Sequence, residues 1–579
     1  MIDGSEGFAW SCRVRIAHHL GWAVTTICFW WAVPTLLFAQ QPPPEVIYVN
    51  GNIYTLDAAR ARAEALGVAG DRIVAVGSNA EVRKLVQPQT RICDLDGKTV
   101  LPGLIDAHCH VASLGSFGLG RIDLSEARSY EDLVAAVAAR VKKAQPGEWI
   151  VGGRWDHENW PGRKLPTHHK LSEVSPDNPI WLTRVDGHAG LANVAAMKLA
   201  GITRDTPDPP GGEVIRDENG DPTGIFVDNA EGLIARHVEA GVTDTAALIL
   251  KAQEMCLSVG LTGVHDAGVA PAEIEVYREL ADSGRLKLRV YAMVAGRAAI
   301  GYFKEHGKLV GDRITVRSAK LYVDGALGSR GAWLLEPYSD RPTDAEGKPY
   351  TGLAVGRPEF IRMVAEDGLL NGYQVCTHAI GDRGNRETLN AYALALSRHP
   401  RQDHRFRIEH AQVLSLEDIP RFAKLGVIPS MQPTHCTSDM RWVYARVGER
   451  RAAGAYAWAK LLRTGARIPA GSDFPVESHN PFFGIYAAVT RQNHAGEPSG
   501  GWQPEDRMSR AEALRAFTLD AAYAAFEEAK KGSLEVGKLA DFIVIDRDIM
   551  TCEPRAILET KVLQTVIGGE TVCRRSGAP

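Results

Sequence analysis

The feature that most restricts how this chain can fold is an alternation. Between about residue 100 and residue 473, short apolar, β-rich runs take turns with helical stretches. Apolar runs bounded by turn residues read as buried strands, and strands interleaved with helices imply βα units around a parallel sheet. Eight such runs stand out: Val100 to His110, Leu261 to His265, Leu286 to Val294, Ile314 to Asp324, Tyr373 to His378, Phe406 to His410, Val427 to Gln432 and Ile468 to Asp473. Eight βα units close into a (β/α)8 TIM barrel, whose chemistry sits at the C-terminal ends of its strands. The polar residues of these runs fall at those ends.

Seven of the intervals have barrel-like lengths, but the first, residues 111–260, is far too long for one helix and reads as an inserted subdomain. Its four tryptophans, Trp149, Trp155, Trp160 and Trp181, suit either an apolar pocket over the barrel mouth or the subdomain's own core. Outside the barrel, short strand runs with glycine and Asp-Arg turns appear from Val46 to Gly77, and again at Ala540 to Asp546 and Val562 to Gly569. Neither set makes a stable sheet alone, so the two are expected to combine into one composite β-sandwich. The predicted organisation is therefore a leader and linker (1–44), the first part of the sandwich (45–98), the barrel (99–532, with 111–260 inserted) and the second part of the sandwich (533–579).

The leader differs from the rest. Arg13, Arg15, His18 and His19 precede Leu20 to Ala39, a stretch of twenty residues without a charge, followed by Gln40-Gln41-Pro42-Pro43-Pro44. This describes a secretory signal peptide, and the apolar stretch is also long enough for an uncleaved membrane anchor. Either reading places the protein outside the cytoplasm, periplasmic or membrane-anchored. Elsewhere, 66 Lys+Arg against 70 Asp+Glu, with no long basic run, excludes a nucleic-acid surface. Seven cysteines beyond the leader, an odd number without CxxC spacing, argue against a disulfide framework.

Chemistry concentrates in a few motifs. In Asp106-Ala107-His108-Cys109-His110, two histidines two residues apart on a strand face the same way, placing two imidazoles beside one ion. Three later runs also end in ligand types: His378 after Gln374-Val375-Cys376-Thr377, His410 after Phe406-Arg407-Ile408-Glu409, and Asp473 after Gly471-Ser472. Singly each could be a structural histidine or a turn, but together they converge on one barrel mouth. Lys320 lies within the apolar run Ser318 to Leu327, where burial lowers an amine's pKa. A neutral amine can add CO2 to give a carbamate, an anionic ligand for two cations; a snorkelling or salt-bridged lysine is the structural alternative.

In identity, order and strand position, Asp106-Ala107-His108-Cys109-His110, Lys320, His378, His410 and Asp473 resemble the amidohydrolase superfamily. The long insertion, Thr262 to Gly268 and Tyr322 to Arg330 are similar to its amidohydrolase-3 branch, which includes N-substituted formamide deformylases. The resemblance implies that His108 and His110 hold one metal, that His378 and His410 hold the other, and that carboxylated Lys320 bridges them. It also implies that Asp473 binds the first metal and is the general base when metal-bound hydroxide attacks the C–N bond of a small-molecule amide, N-acyl or N-formyl compound. Zn2+ fits the His-rich set best, as one ion or two, with other transition metals open. Candidate substrate contacts are His188, His265, Asp186, Asp324, Arg330 and Arg383, with His188 and His265 preferred. The rivals are a mononuclear-metal deaminase or ester hydrolase and, from another class, a non-catalytic metal-binding envelope or regulatory protein. The oligomeric state is left open.

Overall fold

The computed structural model describes residues 42–238 and 244–578, so the leader expectation for 1–44 lies outside the described residues except at 42–44. Among the described residues, no helix is long and apolar enough to cross a membrane.

The centre is a parallel barrel of strands β1 (Leu104–Cys109), β2 (Leu261–Val269), β3 (Arg289–Ala295), β4 (Ile314–Tyr322), β5 (Gln374–Ala379), β6 (Arg407–His410) and β7 (Ile428–Ser430), paired in that order. Residues 468–473, the eighth run, close the wall between β7 and β1. The N–H of Met431 donates to Pro469 O at 3.1 Å and that of Gly471 to Met431 O at 3.1 Å. On the other side, Ala107 N–H donates to Ala470 O at 3.0 Å and Asp473 N–H to His108 O at 2.8 Å. All eight runs thus contribute to the barrel wall, but the first does so only from Leu104: its opening residues, Thr99–Pro102, expected within the barrel, form a separate strand that pairs in the sandwich. The register places Tyr322 beside His378 and Ala379 beside His410, which levels the C-terminal ends of β4, β5 and β6 at one rim.

The outer helices follow from their spacing. In the helix Pro358–Asn371, Ile361, Val364, Ala365, Gly368 and Leu369 are buried, a stripe three and four residues apart that packs on the strands. Proline opens that helix, and Gly372, in the left-handed conformation at φ 78°, ends it.

The sandwich is composite. One four-stranded sheet orders Arg72–Gly77, Ala65–Ala69, Val46–Val49 and Arg91–Asp94. The other sheet joins the two ends of the chain. There Thr99–Pro102 pairs antiparallel with Phe542–Ile545, with Val100 opposite Val544. Tyr48, Ile53, Leu66, Val100, Phe542 and Val566 fill one core between the sheets, and Tyr48 meets Phe542 edge-on at 5.0 Å between ring centres.

The insertion folds on its own six-stranded sheet, ordered Gly212–Arg216, Pro222–Asp228, Ala189–Ala192, Ile180–Arg184, Ile150–Trp155 and Ile122–Asp123. Its tryptophans resolve the two expectations in favour of core. Trp155, Trp160 and Trp181 are buried within the insertion, and the Trp155 and Trp160 indole N–H groups donate to Leu182 O and Ala127 O. None of the four lines the cavity at the barrel mouth.

Candidate metal centre

Strand alternation positions the first candidate ligand. Asp106 and His108 share one face of β1, and the chain then leaves the strand at His110, the N-cap of the helix Val111–Gly118. Two further candidates sit on strained backbone at the rim: His410 at φ 75° and Asp473 at φ 60°, conformations that non-glycine residues hold only when their surroundings impose them. Around Asp473 the constraint is visible. The Asp106 carboxylate accepts from Ser472 N–H, Ser472 Oγ and His108 N–H, tying β1 to the closing segment. Burial pushes this carboxyl up to about 7. Gly471 has no room for a side chain, because a Cβ there would lie 2.5 Å from both Asp106 Oδ1 and His108 N.

The six predicted ligands gather around one cavity of about 440 Å3. His108 Nε2 lies 3.2 Å from Lys320 Nζ and 3.7 Å from Asp473 Oδ1, and His110 Nε2 lies 3.2 Å from the same oxygen. The His410 ring centre is 4.8 Å from that of His108 and 4.5 Å from that of His378. Ligand atoms of His108, His410 and Asp473 all fall within 4.8 Å of one another, the spacing of a cation site.

Two neighbours orient the imidazoles. His108 Nδ1 is 2.5 Å from Glu409 Oε2, and His410 Nδ1 is 2.8 Å from Gln432 Oε1. A carboxylate and an amide oxygen only accept, so both rings carry their proton on Nδ1 and turn the Nε2 lone pair to the cavity. Glu409 is held in turn by fully buried Arg407, whose NH2 donates to Oε2 at 2.9 Å while Nε pairs with Oε1 at 2.7 Å. Arg407 also reaches Ala107 O, Ser430 Oγ and His265 Nδ1.

The donor set suits a cation. Burial first, and then the charge of Lys320, pushes His108 well below the ordinary imidazole range; burial does the same to His378 and His410, each reinforced by a neighbouring histidine. Neutral imidazole is the metal-binding form. Burial works to raise the Asp473 carboxyl, but His110, 3.2 Å from its Oδ1, outweighs it and holds the group below its usual range. Its Oδ1 is buried without a well-aligned hydrogen bond, an anionic oxygen facing ring nitrogens. Such an arrangement is cohesive only with positive charge among the lone pairs. Lys320 Nζ, almost fully buried, faces His108 Nε2 as its hydrogen-bonding neighbour and lies 4.6 Å from the centre of the Tyr322 ring.

Of the substrate contacts proposed from the sequence, His188 and Asp186 line the cavity. His188 Nδ1 is bound to Asp228 Oδ1 at 2.6 Å, its ring centre is 4.9 Å from that of His378, and Asp228 overrides burial to raise it to about 9. Asp186 is bound by Arg184. The other four do not line the cavity, and each has a structural reason. β2 runs on to Val269, so His265 is not at its end but inside the barrel, against Arg407 and Tyr291. Asp324 is fully buried, accepting from the backbone N–H groups of Trp333, Ile380 and Gly381. Arg330 is paired with Asp340, and the Arg383 guanidinium stacks 4.6 Å from the Trp333 ring centre. Asp228, Gln432 and Glu409 escaped the sequence reading. Only Glu409 left a trace, as half of a charged pair two residues apart, Arg407 and Glu409, within an apolar run.

Comparison with known proteins places this geometry. The model for "Amidohydrolase family" matches residues 91–573. The Arabidopsis thaliana protein LONG AFTER FAR-RED 3 is 33% identical over 561 residues, covering 94% of each chain. An N-substituted formamide deformylase of Arthrobacter pascens is 29% identical, covering 92% of this chain and 99% of its own. The solved structure of an uncharacterized metal-dependent hydrolase from Pyrococcus furiosus is 30% identical and superposes with a TM-score of 0.68, over 87% of this chain and 100% of that one.

Proposed function

The chain belongs to the amidohydrolase family, and from that premise we propose a metal-dependent hydrolase that cleaves the carbon–nitrogen bond of a small amide, N-acyl or N-formyl compound. The observation that carries the reading is the buried Asp473 carboxylate, whose Oδ1 lies 3.2 Å from His110 Nε2 and 3.7 Å from His108 Nε2, beside the rings of His410 and His378. Similarity to a formamide deformylase supports the bond type.

His108, His110 and Asp473 would hold one divalent cation, His378 and His410 a second, with Lys320 joining them as its carbamate; Zn2+ suits this donor set best. Bound there, the cations supply an acidified water and polarise the scissile carbonyl. The chain's own groups do the rest. Glu409 and Gln432 keep the lone pairs of His108 and His410 aimed at the cavity. Asp473 takes the proton lost on attack and delivers it to the departing nitrogen. His188, steadied by Asp228, offers its free N–H to the substrate carbonyl oxygen. On the insertion side, Val185 and Asp186 complete the lining of the cavity. Placement outside the cytoplasm belongs to the same proposal, resting on residues 1–44.

The test is a screen. The protein is stripped with chelator, reloaded with Zn2+, Mn2+ or Co2+ and assayed for amine release from N-formyl, N-acyl and cyclic amides. Turnover that vanishes with the metal and returns with it is expected. Metal retained at one or two equivalents with no turnover across the panel refutes the reading.

A further inference from the structure

The arginines that line the cleft are neutralised, with one exception. Arg184 is paired with Asp156 and Asp186, Arg441 with Asp156, and Arg154 with Asp123 at 2.8 Å. Arg121 has no carboxylate partner among the described residues. Its NH2 donates to Gly152 O at 3.3 Å and reaches Thr183 Oγ1 at 3.5 Å, and its Nε is buried without an acceptor. A guanidinium does not shed its proton, so this is a partly desolvated charge with nothing to balance it.

Arg154 adds a second, independent sign. It stands at φ 71°, at the register shift between Gly153 and Trp155, and this irregularity turns its side chain towards the cleft. Although Asp123 binds its NH1, its Nε is also buried with no acceptor. The two guanidinium carbons lie 5.4 and 5.8 Å from the centre of the Phe117 ring, so cations and aromatic form one group. The eight-residue helix Val111–Gly118 connects this group to the ligand His110 and is roughly 12 Å long. A small molecule can therefore span from the metal ligands to the cations.

We propose that the substrate is an anionic amide whose carboxylate is received by Arg121, with Arg154 beside it and Phe117 beneath. This rests on the amide-hydrolase reading and deepens it. Arg121 acts on specificity: a carboxylate takes two parallel N–H···O bonds from its fork, which a neutral amide cannot match.

The test separates binding from turnover. Titration calorimetry on the metal-loaded Asp473→Asn protein compares 4-acetamidobenzoate with 4-acetamidobenzamide, alike except for the charge. The benzoate is expected to bind at least about tenfold tighter, the scale of a charged hydrogen bond. Arg121→Gln should erase that preference while leaving benzamide binding and the melting temperature unchanged, and Arg121→Lys should restore part of it. A merely structural arginine would weaken both ligands alike. Equal binding of the two probes, binding of neither, or a preference that survives Arg121→Gln overturns the proposal. A preference that follows Arg121 in a metal-loaded wild-type protein that is inert across the whole panel of N-formyl, N-acyl and cyclic amides sinks the hydrolase reading instead, and leaves the carboxylate site standing.

Discussion

Substituting Glu409 by Gln keeps the shape of the side chain and removes its charge. The wild-type carboxylate accepts from His108 Nδ1 at 2.5 Å and from Arg407 NH2 at 2.9 Å, and pairs with Arg407 Nε at 2.7 Å; all three residues are fully buried. A glutamine offers one oxygen to these N–H groups and turns an N–H of its own towards another. Arg407 then remains as an uncompensated buried cation, a loss of about 3–5 kcal/mol in unfolding free energy. His108 loses the partner that fixes its tautomer, which lowers metal affinity about 10–100-fold. The two effects are read separately, by urea unfolding of metal-free protein and by competition for Zn2+ with a chelator. Adding Arg407→Met should recover part of the stability, since the stranded charge is then gone, but not the metal affinity. A Glu409→Gln protein that unfolds like wild type when metal-free and holds Zn2+ as tightly would refute this account. So would a double variant less stable than the two single losses added together.

Further outcomes are expected at the same centre. Asp473→Asn should leave the fold intact while turnover falls about 10²–10⁴-fold, the range of a lost proton-transfer group; undiminished turnover in steady-state kinetics removes its role as base. Lys320→Ala should abolish most turnover, with partial recovery on adding small carboxylic acids; full activity without additives counts against a bridging carbamate. Gly471→Ala inserts a methyl group 2.5 Å from Asp106 Oδ1 and His108 N. It should cost about 1–3 kcal/mol and weaken metal binding, seen as a lower urea midpoint and a lower metal content after dialysis; wild-type values for both would mean that the barrel closes less tightly than described.

The barrel was legible because its strands read as short, β-rich runs that end in polar residues and alternate with helical stretches, Val100 to His110 and Ile314 to Asp324 among them. The side chains that gather at the cavity were legible for a related reason: imidazole and carboxylate at successive strand ends have few structural uses. The supporting residues were not. Gln432 meets His410 only once β6 and β7 pair, and Asp228 meets His188 only once Ala189–Ala192 pairs with Pro222–Asp228 in the insertion, and nothing near them in the chain marks either meeting. Asp324, Arg330 and Arg383 looked like substrate contacts because charged residues following ligand strands resemble a functional loop. Their charges are satisfied by backbone N–H groups, Asp340 and the Trp333 ring, partners supplied by the loop's own path. His265 misled through length, since β2 continues four residues beyond it.

The pairing of Thr99–Pro102 with Phe542–Ile545 bears on how the molecule is made. During synthesis, the amino-terminal strands leave the ribosome more than four hundred residues ahead of the partner that completes their sheet. Until then they present an open edge able to recruit other chains, and docking so late makes the last step slow. Nascent chains that stall before Phe542 should therefore be the ones that chaperones retain and proteases remove, whatever the state of the barrel they already contain.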